Sequence, residues 1–159
     1  MLLAFTTIFA SCKEDEEEVK APSKNIAQLV IDTDNLSSLE AALIKADLVS
    51  VFQGHQGTTQ YTVFAPTNAA FTAFLTANNL TLETVPVPLL TAVLLRHVVA
   101  GEAKSTALSN GQVIPTLNPA ASLTVNISGT TIKVNNATVT QANVDATNGV
   151  VHIIDQVIQ

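Results

Sequence analysis

The side chains of this 159-residue chain best suited to acid–base chemistry or metal binding are three histidines, His55, His97 and His152. His55 lies in a loop between Gly54 and Gly57, whereas His97 and His152 lie in apolar stretches. A zinc site needs three or four ligands, and neither of these two histidines has a Cys, Asp or Glu at the spacing of a metal motif. We therefore predict no metal site, and we interpret His97 and His152 as structural residues whose neutral rings bridge backbone groups.

The acidic run at residues 32–35 (DTDN) has the oxygen ligands with which a calcium loop begins. An EF-hand would also need an oxygen ligand at Leu36 and a glycine at Ser37, so the run instead predicts a polar turn before a helix. The chain has no Gly-x-Ser-x-Gly elbow, no glycine-rich phosphate loop and no His-Glu-x-x-His motif. We therefore predict a protein that is not an enzyme, has no catalytic residues and needs no cofactor. Its ligand-binding residues stay undefined.

Cys12 is the only cysteine, so the chain cannot form an internal disulfide. It follows an apolar run that is too short for a membrane span of about 20 residues but fits the apolar region of a signal peptide. Residues 9–12 (FASC) resemble the lipobox of bacterial lipoproteins, with Phe9 where leucine is usual. The resemblance implies that residues 1–11 are removed and that Cys12 is lipidated. The alternative is an apolar tail with an incidental cysteine.

The basic segment that opens a signal peptide is missing before the apolar run, so we expect the natural start to lie further upstream. After Cys12, residues 14–18 (EDEEE) are five consecutive acids, which repel one another and stay solvated. They predict a flexible spacer over residues 13–24; alternatively, they resemble the surface-export signals of some Gram-negative lipoproteins. We divide the chain into a signal peptide with its lipidation cysteine (1–12), an acidic spacer (13–24) and a single domain (25–159).

The composition limits what the domain can contact. Hydrophobic residues make up 47% of the chain and aromatic residues only 4%, so a core must be built mainly from Val, Ile, Leu and Ala. The net charge is −6, and the seven Lys and Arg residues are spread along the chain. A nucleic-acid partner requires a concentrated basic face, and we therefore predict no such partner.

The first half of the domain has helical spacing around one strand. Residues 37–40 (SSLE) fit a capping box, with the Ser37 hydroxyl as cap and Glu40 reaching back, so we predict a helix from about Ser38 to Ala46. Residues 61–65 (YTVFA) predict a strand that proline ends. Two further helices follow. Thr67 or Asn68 caps the first helix, whose apolar face is formed by Phe71, Phe74 and Leu75. Pro88 suits the first turn of the second helix. The apolar face of that helix is formed by Leu90, Val93, Leu94 and His97.

The second half alternates with the period of strands. Leu123, Val125 and Ile127 alternate with polar residues, and Ser128-Gly129 and Asn135-Asn136 are hairpin turns. Residues 148–158 open with a turn and continue as a run that is apolar on both faces, which is typical of a central strand. Helices followed by a strand meander predict an α+β domain with the helices packed over one sheet.

Three segments resemble the signatures of fasciclin-like domains. They are residues 61–71 (YTVFAPTNAAF), 95–101 (LRHVVAG) and 148–155 (NGVVHIID). The middle segment has Arg96-His97 where the family usually has Tyr-His. The resemblance covers nearly all of residues 25–159 and implies a β-wedge of about seven strands flanked by several helices.

The resemblance also implies a function outside the cytoplasm. It favours a non-catalytic adhesion or interaction module that binds a glycan or protein surface. With the lipid anchor that the lipobox resemblance implies at Cys12, the domain would be displayed at the bacterial outer membrane, facing outward or into the periplasm. The polar strand positions are candidates for glycan contact, and the alternative is that they form only a solvated sheet face: Thr124, Asn126, Ser128, Thr138 and Thr140. Integrin binding is not implied, because Asn143-Val144 stands where some animal members carry Asp-Ile. The alternative function is an envelope carrier for a small apolar ligand, which a pocket above about 300 Å³ between wedge and helices would favour.

Overall fold

The computed structural model describes residues 22–53 and 59–159, in which a helical first half packs over a sheet. Cys12, the five consecutive acids at residues 14–18 and His55 lie outside the described residues. The helices are α1 (Ile26–Ile31), α2 (Ser37–Lys45), α3 (Val49–Gln53), α4 (Asn68–Ala77) and α5 (Val87–Arg96). The strands are β1 (Tyr61–Pro66), β2 (Val98–Ala100), β3 (Val113–Pro115), β4 (Ser122–Ser128), β5 (Thr131–Val134), β6 (Ala137–Ala146) and β7 (Gly149–Ile154). The predicted α+β class is confirmed.

Local signals account for most helix starts. The Thr67 hydroxyl accepts the Ala70 N–H and caps α4, and Pro88 lies in the first turn of α5, both as predicted. α1 begins with a reciprocal cap between Asn25 and Gln28, whose side chains each accept the other's backbone N–H. Within the described part of the chain, no helix combines the length and apolar character needed to cross a membrane.

The predicted capping box at the start of α2 is wrong. A 3₁₀ turn at Asp34–Leu36 runs directly into α2, so Ser37 already has helical dihedral angles and cannot act as the cap. The cap comes instead from α4, where Asn68 Oδ1 accepts the Ser38 N–H at 2.8 Å. Asn68 Nδ2 in turn donates to the Asp34 carbonyl at 2.9 Å and to Ser37 Oγ at 3.0 Å. Because Thr67 caps α4, Asn68 is available to join α4 to α2.

The strands form one sheet in the order β2-β1-β7-β6-β5-β4-β3. All neighbours are antiparallel except β1 and β7, which run parallel in the register Tyr61 to Gly149 through Pro66 to Ile154. The predicted hairpins after β4 and β5 are confirmed, and β7 is flanked on both sides, as predicted for a central strand. Leu117, just after β3, donates its N–H to the Val98 carbonyl of β2 at 2.8 Å, so the two ends of the sheet meet.

β1 and β7 separate two apolar cores. On one face, Val63 of β1 and Val151 of β7 pack with the helices. On the other face, Phe64 and Ile154 pack with Leu123 and the rest of the strand meander. Since successive strand residues point to opposite faces, both strands must be apolar on each face. This requirement explains the continuous apolar run that the sequence shows after residue 149.

Asn148 joins the helices to the sheet at the start of β7. Its Oδ1 accepts the Ile26 N–H at 2.8 Å, and its Nδ2 donates to the Phe52 carbonyl at 2.8 Å. Its own carbonyl accepts the Tyr61 N–H at 3.0 Å. One side chain therefore provides hydrogen-bond partners for a backbone N–H at the start of α1 and a carbonyl near the end of α3, while the Asn148 backbone pairs with β1.

Candidate functional site

His97 lies at the end of α5 with 2% of its surface exposed. Its Nδ1 is 2.7 Å from the Val93 carbonyl oxygen, and its Nε2 is 2.9 Å from the Ile158 backbone nitrogen. A carbonyl only accepts and a backbone N–H only donates, so the proton must be on Nδ1 and the lone pair on Nε2. The neutral ring thereby links α5 to the segment after β7.

The pKa of His97 is lowered to about 4, mainly by burial, with the Val93 carbonyl opposing this effect and the Arg96 guanidinium adding to it. The neutral form is therefore the one present at pH 7. Protonation would place a second N–H against the Ile158 N–H, so the charged ring cannot keep both hydrogen bonds.

His152 on β7 has the opposite tautomer. Its Nδ1 accepts the Asn143 N–H at 3.2 Å, and its Nε2 donates to the Ala103 carbonyl at 2.8 Å. The ring stacks on Phe64, with centroids 5.3 Å apart and planes inclined by 26°. Burial lowers the pKa of this histidine as well. Both nitrogens of each buried ring are thus engaged with backbone groups, which leaves neither ring a free lone pair for a substrate.

The other candidate ligands are dispersed. Among the residues that the structure describes, no three His, Cys, Asp or Glu side chains are grouped so that they could hold a metal ion. Asp32, in the predicted polar turn, pairs with Lys24 at 2.6 Å, and Asp34 begins the 3₁₀ turn before α2. Lys104 lies between Glu102 at 3.4 Å and Asp145 at 3.2 Å.

Asn143 stands where some animal members carry the Asp of the integrin motif, and here it is hydrogen-bonded within the domain. It lies in an irregular stretch of β6 with φ of 57°, which directs its backbone N–H to His152. Its Oδ1 accepts the Ser105 N–H at 2.8 Å, and its Nδ2 donates to Ser105 Oγ at 2.7 Å. Its side-chain amide is therefore hydrogen-bonded to the loop between β2 and β3.

The polar strand positions show the predicted alternation. Asn126, Ser128 and Thr140 are exposed, and Thr124 and Thr138 are half-buried, opposite the buried Leu123 and Val125. The Thr140 hydroxyl donates to the Ile153 carbonyl at 3.1 Å. Asn126, Ser128 and Thr140 are therefore open to solvent.

A groove of about 370 Å³ lies between α4 and the segment that follows β7. The wall on the α4 side is formed by alanines and the half-buried Phe74. The opposite wall carries Asn136, Asp155 and Gln156. The sequence does not reveal this groove, because its two walls come from segments that are far apart in the chain. The only local signal was the run of alanines on one face of α4, which a helix uses equally well for packing.

Three comparisons with known proteins bear on this fold. The family model described as the fasciclin domain matches residues 34–159. Protein sll1483 of Synechocystis sp. is 38% identical over 137 residues, which cover 84% of this chain and 72% of that protein. Immunogenic protein MPB70 of Mycobacterium bovis is 42% identical over 100 residues, which cover 62% of this chain and 49% of that protein.

A solved structure shares the architecture at low sequence identity. The FAS1 domain pair from the insect cell adhesion molecule fasciclin I superposes with a TM-score of 0.70 and 16% identity. The match covers 87% of this chain and 51% of the domain pair, so this chain corresponds in extent to about half of that molecule. At this identity the similarity concerns the fold alone.

Proposed function

The chain belongs to the fasciclin domain family, and we propose that it is a non-catalytic module of the cell surface that binds a macromolecular partner, either a glycan or a protein. Fasciclin domains generally serve adhesion and interaction, and the domain pair that shares this fold comes from a cell adhesion molecule. The observation that carries the proposal for this chain is the state of its two buried histidines. Each ring has both nitrogens bonded to backbone groups, so they support the fold rather than react.

The second candidate, a carrier for a small apolar ligand, is favoured by the volume of the groove. About 370 Å³ exceeds the lower end of typical ligand pockets, roughly 300 Å³. The Asp155 carboxylate and the side-chain amides in the lining argue against this function, because an apolar ligand would remove their water without replacing its hydrogen bonds. Adhesion therefore remains the better supported function.

A single small domain with few charges should bind weakly, so we propose that it acts in many copies on one envelope. Display of many copies should raise avidity by about 100- to 10,000-fold without any new contact. We expect beads carrying the full chain at high density to be retained on glycan- or protein-coated surfaces, while the free monomer washes off. The measurement is retention under flow against bare beads. Equal, negligible retention of displayed and free protein on every surface would refute adhesion and favour the carrier.

We propose further that Cys12 anchors the protein by lipid to the outer membrane, with residues 13–24 as spacer and the domain facing outward. The support is sequence alone: a short apolar run, small residues before one cysteine, and an acidic stretch after it. Lys24, at the end of the proposed spacer, accepts the Thr147 N–H on its carbonyl at 2.9 Å. The last residue of the proposed spacer is therefore hydrogen-bonded to the domain.

Lipidation has a direct test. We expect mass spectrometry of protein expressed from its natural start to show an N-terminus at Cys12 carrying acyl chains, since two or more chains give stable anchoring where one is marginal. The Cys12→Ser variant is the control and should leave the membrane fraction. An unmodified Cys12 in mature protein would contradict the anchor.

A further inference from the structure

We infer that the groove between α4 and residues 155–159 binds a neutral, hydroxyl-rich ligand, a sugar unit of a glycan. This inference rests on the proposed binding function and names the site and the ligand class. The two walls differ in chemistry. Ala69, Ala73 and Ala77 present methyl groups from exposed positions on α4 beside the Phe74 ring, and the opposite wall is polar. Sugars have the same division, because apolar C–H faces alternate with hydroxyl edges.

The polar wall is held in place before any ligand arrives. Asn136 Nδ2 donates to Gln156 Oε1 and to the Val157 carbonyl, both at 3.1 Å. Asp155 Oδ1 accepts the Thr138 N–H at 2.7 Å, and the Ile158 N–H is bonded to His97. A preorganised wall reduces the entropy that binding must overcome.

Two hydrogen-bonding groups on this wall remain available. Among the residues that the structure describes, neither the second carboxylate oxygen of Asp155 nor the amide NH₂ of Gln156 has a protein partner. One group accepts and the other donates, and they lie on consecutive residues that both line the groove. A pair of neighbouring sugar hydroxyls, one donating and one accepting, matches this arrangement.

The polarity and charge of the lining disfavour anionic and hydrocarbon ligands. The described lining of this groove includes Asp155 and no Lys or Arg, so an anionic ligand would be repelled without a compensating cation. A hydrocarbon would leave the carboxylate and the amide without water or hydrogen-bond partners. A neutral polyhydroxylated ligand satisfies both walls.

The test is a two-dimensional NMR titration of the full chain with neutral monosaccharides: glucose, galactose, mannose and N-acetylglucosamine. We expect one or more of them to shift the amide signals of residues 69–77 and 155–159, and glucuronate to shift them less. Ala73→Trp should abolish the response by filling the groove. Asp155→Asn keeps an oxygen for Thr138 and should weaken binding about tenfold. Thr72→Trp is the control, since it adds the same ring at an exposed neighbouring position that faces a different depression.

The outcomes separate this inference from the proposed function. Shifts located elsewhere, or an unchanged response in a folded Ala73→Trp variant, would overturn the groove as the site. Binding to protein-coated surfaces with no response to any neutral sugar would overturn the ligand class and leave the adhesion function standing. Loss of retention on every surface by the parent protein would refute the adhesion function itself.

Discussion

The free energy of unfolding should fall by about 3 kcal/mol or more when Gly149 is replaced by alanine. Gly149 begins β7 with φ of 150°, a backbone conformation that residues with a side chain rarely adopt. A Cβ built there would lie 1.8 Å from the Tyr61 carbonyl oxygen and 2.8 Å from the Tyr61 nitrogen. Backbone atoms cannot rotate away as a flexible side chain would. Relief therefore requires β1 and β7 to separate at the boundary between the two cores.

Gly129→Ala is the matched control. Gly129 also has a positive φ, 61°, but no atom lies within 4 Å of the Cβ that alanine would add. The free energy of unfolding of this variant should fall only by the cost of placing alanine in a left-handed backbone conformation, about 1 kcal/mol. Urea denaturation of the parent and of both variants measures the difference. Equal losses in the two variants would show that close approach to Tyr61 carries no additional cost.

His97→Leu should be the second large effect, with a loss of about 2–4 kcal/mol at pH 7. The substitution keeps an apolar volume but removes the partners of the Val93 carbonyl and the Ile158 N–H. Each buried backbone group left without a partner costs about 1–3 kcal/mol. His152→Leu should cost less, because its bond to the Asn143 N–H is longer, at 3.2 Å, and part-buried. Chemical denaturation measures both variants against the parent.

The effect of His97 should depend on pH with a defined sign. Its pKa is about 4 in the folded state and about 6.5 in the unfolded state, so the unfolded chain binds the proton first as pH falls. The stability that the neutral ring contributes is complete above pH 6.5 and is lost as pH falls toward 4, a change of about 3 kcal/mol. The difference in the free energy of unfolding between the parent and His97→Leu should therefore become smaller as pH falls from 6.5 to 4.

Comparison of the two pH curves isolates His97, because the carboxylates titrate in both proteins. A constant gap between pH 7 and pH 4 would contradict the neutral, hydrogen-bonded ring. A His97→Leu variant that is as stable as the parent but has lost surface retention would contradict the structural role of the residue. It would instead assign His97 to the binding surface.

Local features of the domain were predictable because each depends on neighbours in the chain. The alternation of Leu123 and Val125 with polar residues predicted a half-buried strand, and Ser128-Gly129 predicted the turn after it. Helical spacing with Leu90 and Val93 predicted that His97 points into the apolar face. The three signature segments predicted the family, which the match over residues 34–159 confirms.

Contacts between distant segments were decided only by the tertiary structure. The parallel pairing of β1 with β7 joins opposite ends of the domain, and no pattern within either strand specifies its partner. The cap of α2 comes from Asn68, 30 residues along the chain from Ser38, although a local capping box was available at Ser37. Asn148 likewise accepts the N–H of Ile26, which is 122 residues away in the chain. A side-chain amide satisfies whichever backbone group the fold brings within 3 Å of it.

The two histidines and the groove show which features the sequence predicts and which depend on the tertiary structure. Their apolar surroundings predicted that His97 and His152 would be buried and neutral, but the tautomer of each ring depends on which backbone groups face its two nitrogens. The groove requires α4 and residues 155–159 side by side, an arrangement created by the parallel register of β1 and β7. Periodicity and turn residues act over a few positions and therefore determine elements. Partners, tautomers and cavities are set by long-range packing.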